Sequence, residues 1–180
     1  VPESVAFETA RRYAREIVPG FSATVYFSVA ARLARLISRL MYRVRVGAAD
    51  EDALRAIDPD ATVIFVMNHR SNMDYVLVTW LVSERMTLSY AVGEWARVWP
   101  FSRLVRAMGA YFIRRRHLNP LYRRVLERFV QMTTAEGVSQ AIFPEGGLSL
   151  DGRVGPAKLG LLGYILAGHD PGRGRDVVFV

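Results

Sequence analysis

The 180-residue sequence contains no cysteine, which excludes a disulfide scaffold, a thiolate nucleophile and any zinc site built on sulfur. Lysine is almost as scarce, Lys158 being the sole lysine among 24 basic residues. Such a skew follows genome composition as readily as phosphate recognition, so arginine abundance identifies no ligand and only clusters count. Long uncharged runs are missing too. The longest covers residues 17–31 and is broken by Pro19 and Gly20, whereas a spanning helix needs roughly 20 apolar residues. There is no internal repeat, low-complexity tract or long linker, and a chain of this length forms one domain rather than two independent catalytic cores.

What remains is an apolar, basic chain. Hydrophobic residues make up 51% and charged residues 23%, which argues against disorder and for a greasier surface than a free-standing aqueous domain usually carries. The 24 basic against 17 acidic residues give a net charge of +7, favouring an anionic partner: nucleic acid, anionic lipid or a phosphorylated substrate. The sequence begins at Val1 without methionine and stops inside a strand-like run at 177–180, so it reads as an excerpt cut off at its C-terminal end.

Arg32, Arg35, Arg39 and Arg43 recur at steps of three and four, with Val29, Leu33, Leu36, Ile37, Leu40, Met41 and Val44 covering the rest of the same helix. Such a helix either lies in a bilayer interface with its guanidinium groups at lipid phosphates, or packs on the domain with a solvated arginine edge. From residue 61 the texture is α/β. Apolar runs at 63–67, 88–92, 111–113, 141–143 and 177–180 predict strands; helical periodicity covers 75–83, 101–108, 121–135 and 157–166. The expected architecture is a mostly parallel central sheet flanked by crossover helices, preceded by an N-terminal amphipathic helical segment. The segment is assigned to residues 1–46 and a catalytic domain to 47–180.

Chemistry concentrates after the first predicted strand, in Asn68-His69-Arg70-Ser71-Asn72-Met73-Asp74. In open α/β sheets catalytic groups collect at the carboxyl ends of strands. On a continuous helix, positions five apart point about 140° away from each other, so His69 and Asp74 meet only if His69 stays on the loop and Asp74 enters the helix. Ser71-x-x-Asp74 supplies that boundary as a capping-box pattern, which also gives Asp74 a purely structural job. One carboxylate is not expected to do both jobs in full. If Asp74 reaches His69, the imidazole becomes a base for a substrate hydroxyl.

Three further segments qualify. Gly109-Ala110-Tyr111-Phe112-Ile113 runs into Arg114-Arg115-Arg116-His117, a cluster fit either for a phosphate or for solvent. Phe143-Pro144-Glu145-Gly146-Gly147 offers close backbone approach at the glycines and an acid that could pair with those arginines. Gly155-Pro156-Ala157-Lys158 opens a predicted helix with proline at its first position, presenting early amides and a lysine. Gly147-x-Ser149-x-Asp151 is a near miss for a serine-hydrolase elbow. His117 and His169 lack metal-type partners at helical spacing, so no metal site is expected. Trp95, Trp99 and Phe101, beside Arg97 and Arg103, suit an interfacial aromatic patch or ordinary core.

The order Asn-His-x4-Asp, Gly-x-x-Phe-Ile-Arg-Arg, Phe-Pro-Glu-Gly and Pro-x-Lys resembles the four blocks of the glycerolipid acyltransferases, over about residues 63–166. That resemblance implies His69 as general base and Asp74 as its partner. Arg114 and Arg115 would bind substrate phosphate, Glu145 and Gly146 would complete a polyol-phosphate pocket, and Lys158 would match the lysine of the fourth block. His-Arg-Ser-x-x-Asp-Tyr and Phe-Ile-Arg-Arg look like the glycerol-3-phosphate branch, Phe-Pro-Glu-Gly like the lysophosphatidate branch. One departure is plain: Leu148 stands where the third block carries arginine, and Leu150 where the glycerol-3-phosphate branch often has another, with Arg153 and Arg116 nearby as substitutes.

The resemblance thus implies transfer of a fatty acyl group from acyl-CoA or acyl-carrier protein to glycerol 3-phosphate, in phospholipid biosynthesis. Lysophosphatidate is the alternative acceptor, and a nonenzymatic lipid-headgroup module the alternative of another class. No cofactor beyond the acyl donor is expected, and nucleic acid is not an expected partner. Peripheral attachment to an anionic membrane surface at its cytoplasmic face follows from the basic helix and lipid products.

Overall fold

The computed structural model describes residues 3–44, 51–83, 87–93, 101–114 and 119–180. Among these, five strands, β1 (Thr62–Val66), β2 (Ser89–Val92), β3 (Ala110–Phe112), β4 (Gln140–Ile142) and β5 (Val177–Phe179), form a single sheet in the order β3-β2-β4-β1-β5 with every pairing parallel. The expected parallel α/β architecture is therefore present, without an antiparallel strand among the described residues. Ile64 lies opposite Gln140, Thr62 opposite Val177, and Tyr90 opposite both Ala110 and Ala141.

Alternation along the strands divides the core into two layers. Tyr90, Val92, Ala110, Phe112 and Ala141 face Tyr75, Val78 and Val82 of α5 (Met73–Val82). Ile64, Tyr111 and Ile142 pack on the opposite side against α7 (Pro120–Ala135) and α8 (Gly160–Leu166), through Tyr122, Leu126, Val130 and Ile165. With both faces covered, the strands read as largely apolar runs, with Thr62, Ser89 and Gln140 as polar first residues of β1, β2 and β4. Helix α1 (Glu3–Ile17) joins the second layer, burying Tyr13 and Ile17 and packing on α7. The turn into β3 depends on Gly109. Its φ is 93°, and a Cβ there would lie 2.7 Å from the Leu88 carbonyl oxygen, so the first glycine of its block serves the backbone.

After the short α2 (Ala23–Val25) and a π-helical turn (Tyr26–Ala30), α3 (Ala31–Met41) packs on α5. The buried stripe is not the aliphatic one. Ala30, Ala34 and Ser38, four apart, face inward, while Leu33, Leu36, Leu40 and Met41 face outward, Leu40 being 77% exposed. Small side chains bring the two helices close and leave the bulky ones outside. No described helix is long and apolar enough to cross a membrane.

Short α4 (Glu51–Arg55) precedes β1, and α6 (Phe101–Ala107) precedes β3. The last predicted helix needs correction: α8 begins at Gly160, not near Ala157. The Lys158 N–H donates to the Pro144 carbonyl at 2.7 Å, which ties this segment to the loop after β4 instead of winding it into a helical turn. Pro156 and Lys158 consequently lie before the helix.

Candidate active site

Parallel strands deliver their following loops to one edge of a sheet. His69 leaves β1 there and remains on the loop, while Asp74 sits in the first turn of α5. Three N–H groups converge on Asp74 Oδ2: His69 Nδ1 at 3.0 Å, Arg70 N at 2.8 Å and Ser71 N at 2.9 Å. Ser71 returns its hydroxyl oxygen to the Met73 N–H at 3.1 Å. The expected conflict between cap and histidine partner does not arise, because one oxygen performs both tasks. A carboxylate that already holds the loop by two backbone bonds meets His69 with its position fixed. With Nδ1–H donating to Asp74, Nε2 carries the imidazole's lone pair.

The rest of the loop is pinned from the exit of β4. Glu145 Oε1 accepts the His69 backbone N–H at 3.2 Å, and Ser149 N donates to the His69 carbonyl at 2.8 Å. Phe143 and Tyr75 flank the imidazole, with ring centroids 4.3 and 5.1 Å away. The side chain is 4% exposed, so its rotamer is set by packing as well as by Asp74.

His69 borders a cavity of about 360 Å³ at the carboxyl ends of β2 and β4, whose walls include Val92, Ile113, Phe143, Leu161 and Tyr164. Gly146, Lys158 and Arg123 border it as well. Gly146 has φ 64°, and a Cβ would come within 3.1 Å of the Lys158 side chain, so glycine here both permits the turn and leaves room for the lysine. The geometry suits base-assisted attack by a hydroxyl in an apolar setting with cationic groups at hand.

A family model described as Acyltransferase matches residues 47–171. The chain belongs to the acyltransferase family. Similar curated relatives are the glycerol-3-phosphate acyltransferases of Pseudoalteromonas atlantica, Aeromonas hydrophila and Xanthomonas campestris. The first is 34% identical over 81% of this chain and 19% of its own length; the second, 31% over 99% and 23%. The third is 34% identical over 91% of this chain and 19% of its own length. The chain thus spans about a fifth of the length of these relatives.

Within this chain, the expected site residues part company. His69, Asp74, Glu145, Gly146 and Lys158 come together, but Arg114 does not border the cavity. Its Nε and Nη2 donate to the two carboxylate oxygens of Glu16 at 2.8 and 2.6 Å, and its guanidinium lies 5.3 Å from the ring centres of Tyr13 and Tyr122. The hydrogen bonds and charge of Glu16 raise the Arg114 pKa above its ordinary value. Arg115, Arg116, His117, Trp95, Arg97 and Trp99 lie outside the described residues. Among the described residues Glu145 faces backbone: its second oxygen accepts the Gly155 N–H at 3.3 Å. Arg153 faces Asp151 at 3.9 Å on an exposed turn.

The backbone amides of Gly146 and Lys158 are already engaged, the first with the Phe143 carbonyl and the second with that of Pro144, so neither is free to meet an oxyanion. The Ser149 hydroxyl donates within its own turn, to the Arg153 carbonyl at 2.7 Å, away from any histidine relay. Sequence reasoning passed over Tyr75, Phe143 and Arg123. The two aromatics adjoin motif residues and were open to notice; Arg123 sits in a helix whose periodicity reports only the core.

Proposed function

We propose that this chain catalyses transfer of a fatty acyl group from an acyl-CoA or acyl-carrier-protein thioester to a hydroxyl of glycerol 3-phosphate. Nε2 of His69 takes the hydroxyl proton as the oxygen attacks the thioester carbonyl carbon; the carbon–sulfur bond then breaks and the imidazolium returns the proton to the departing thiolate. Asp74 stabilises the charged imidazole in between. Water is disfavoured as a competing acceptor by the apolar cavity walls. The observation that carries this proposal is the 3.0 Å His69–Asp74 contact at the edge of a cavity bordered by two cationic side chains. The names of the relatives support glycerol 3-phosphate over lysophosphatidate as acceptor.

The test is an acyl-transfer assay with both acceptors side by side. Turnover is expected with glycerol 3-phosphate, and His69→Ala should lower it by roughly 10³-fold. Wild-type-like turnover in His69→Ala would reject the mechanism, and faster reaction with lysophosphatidate would move the acceptor.

Peripheral attachment to an anionic, cytoplasmic membrane surface belongs to the same proposal. Its support is the outward stripe of Leu33, Leu36, Leu40 and Met41 on α3, flanked by exposed Arg32, Arg39 and Arg43. Flotation with vesicles should recover more protein on anionic than on neutral lipid, and Leu36→Glu with Leu40→Glu should abolish the recovery. Equal flotation on both vesicle types would remove the arginine contribution.

A further inference from the structure

We infer that Arg123, together with Lys158, is an anion subsite that grips the acceptor's phosphate, a task that the motif order assigns to Arg114 and to Arg115, the latter outside the described residues. The inference rests on the acyl-transfer function proposed above. It begins from where charge is already spent. Arg114 is held by both oxygens of Glu16. Arg124 pairs with Glu127 at 2.9 Å, Arg173 with Glu136 at 3.3 Å, and Arg106 donates to the carbonyl oxygens of Arg15 and Glu16 at the end of α1. Arg123 and Lys158 differ: neither side chain has a hydrogen-bond or ion-pair partner among the described residues, and both border the cavity that His69 borders.

The position of Arg123 is not accidental to its helix. It lies in the first turn of α7, which Asn119 caps by accepting the Tyr122 N–H at 2.7 Å while donating to the Tyr13 hydroxyl at 2.8 Å. Tyr122 in turn is fully buried and accepts the Arg114 N–H at 3.1 Å. The stem of Arg123 therefore leaves a braced turn. Lys158 is braced from the other wall, by its own amide on Pro144 and by the room that Gly146 leaves. A guanidinium and an ammonium on opposite elements, facing a largely apolar cavity without a carboxylate to neutralise them, favour a doubly charged phosphate. A three-carbon polyol phosphate carries its hydroxyl only a few bonds from that group, so one small cavity serves both ends. The arrangement also accounts for Leu148, since the cation missing from the third block is supplied by α7.

Steady-state kinetics on the full chain with glycerol 3-phosphate and acyl-CoA provide the test. Arg123→Gln should raise the acceptor KM by about 10- to 100-fold, the worth of a charged hydrogen bond, with kcat and the donor KM little changed; Arg123→Lys should recover part of the loss. An unchanged acceptor KM would overturn the inference, and so would a rise confined to the donor KM, which would assign the subsite to the donor's phosphates. Inorganic phosphate separates this outcome from failure of the function itself. If the wild type transfers no acyl group, thermal stabilisation by phosphate that is lost in Arg123→Gln upholds the subsite, and equal stabilisation of both proteins refutes it.

Discussion

The loops that leave β1 and β3 start from the same edge of the same sheet, and both carry residues of the family blocks, yet they end differently. The β1 exit is drawn inward. His69 has Nδ1 on Asp74, its amide on Glu145 and its carbonyl on Ser149, so these three polar groups are satisfied within the loops beside the cavity that His69 borders. At the β3 exit the pull is outward: Arg114 is clamped by Glu16 and sandwiched near Tyr13 and Tyr122. A strand's carboxyl end brings a residue near the site. Which neighbour then satisfies its polar atoms decides whether it faces substrate or scaffold.

The sharpest way to break the inward side of that comparison is Asp74→Asn. Asp74 Oδ2 holds both the imidazole and two backbone amides, so charge removal should be felt twice. Turnover should fall on the order of 100-fold, because the imidazolium loses its counter-charge. Stability should fall by about 2 kcal/mol, the scale of weakened charge-assisted bonds at a helix start, or roughly 4–8 °C in melting temperature for a chain of this size. Loss of stability with full turnover would make Asp74 a cap alone, and loss of turnover with full stability would make it a histidine partner alone.

Much of the sheet was legible in advance for a simple reason. Runs such as Val63 to Met67 and Tyr111 to Ile113 are apolar at every position, as suits strands covered on both faces. The His69–Asp74 pair was legible because its geometry is local, five residues across one helix start. What escaped was non-local. Arg114 and Glu16 are 98 residues apart, so no spacing rule foretells that the guanidinium is taken. Lys158 leaves the predicted helix because of a bond to Pro144, across the loop. Periodicity marked the stripes of α3 but not which one packs, and the small stripe of Ala30, Ala34 and Ser38 won because close approach to α5 requires it. Arg123 was hidden by the same limit: an exposed helical arginine looks alike whether it faces water or a cavity.

The outward side of the comparison is tested by Glu16→Gln, where a smaller effect is expected. The Arg114–Glu16 pair is partly exposed, its two side chains being 30% and 16% accessible, so water screens much of its attraction. Glutamine can still accept one hydrogen bond, and the tyrosine rings still hold the guanidinium. A loss of about 1 kcal/mol, or roughly 2–4 °C in melting temperature, is the expected size, and added salt should shrink the gap between variant and wild type. The acceptor KM should stay within about two-fold, because Arg114 does not border the cavity of His69. If instead the acceptor bound several-fold more tightly once Glu16 lost its charge, Arg114 would have to be within reach of substrate after release from its clamp. The β3 exit would then be a second anion site held shut by α1, and the distinction between scaffold and substrate contacts drawn from these two loops would fail.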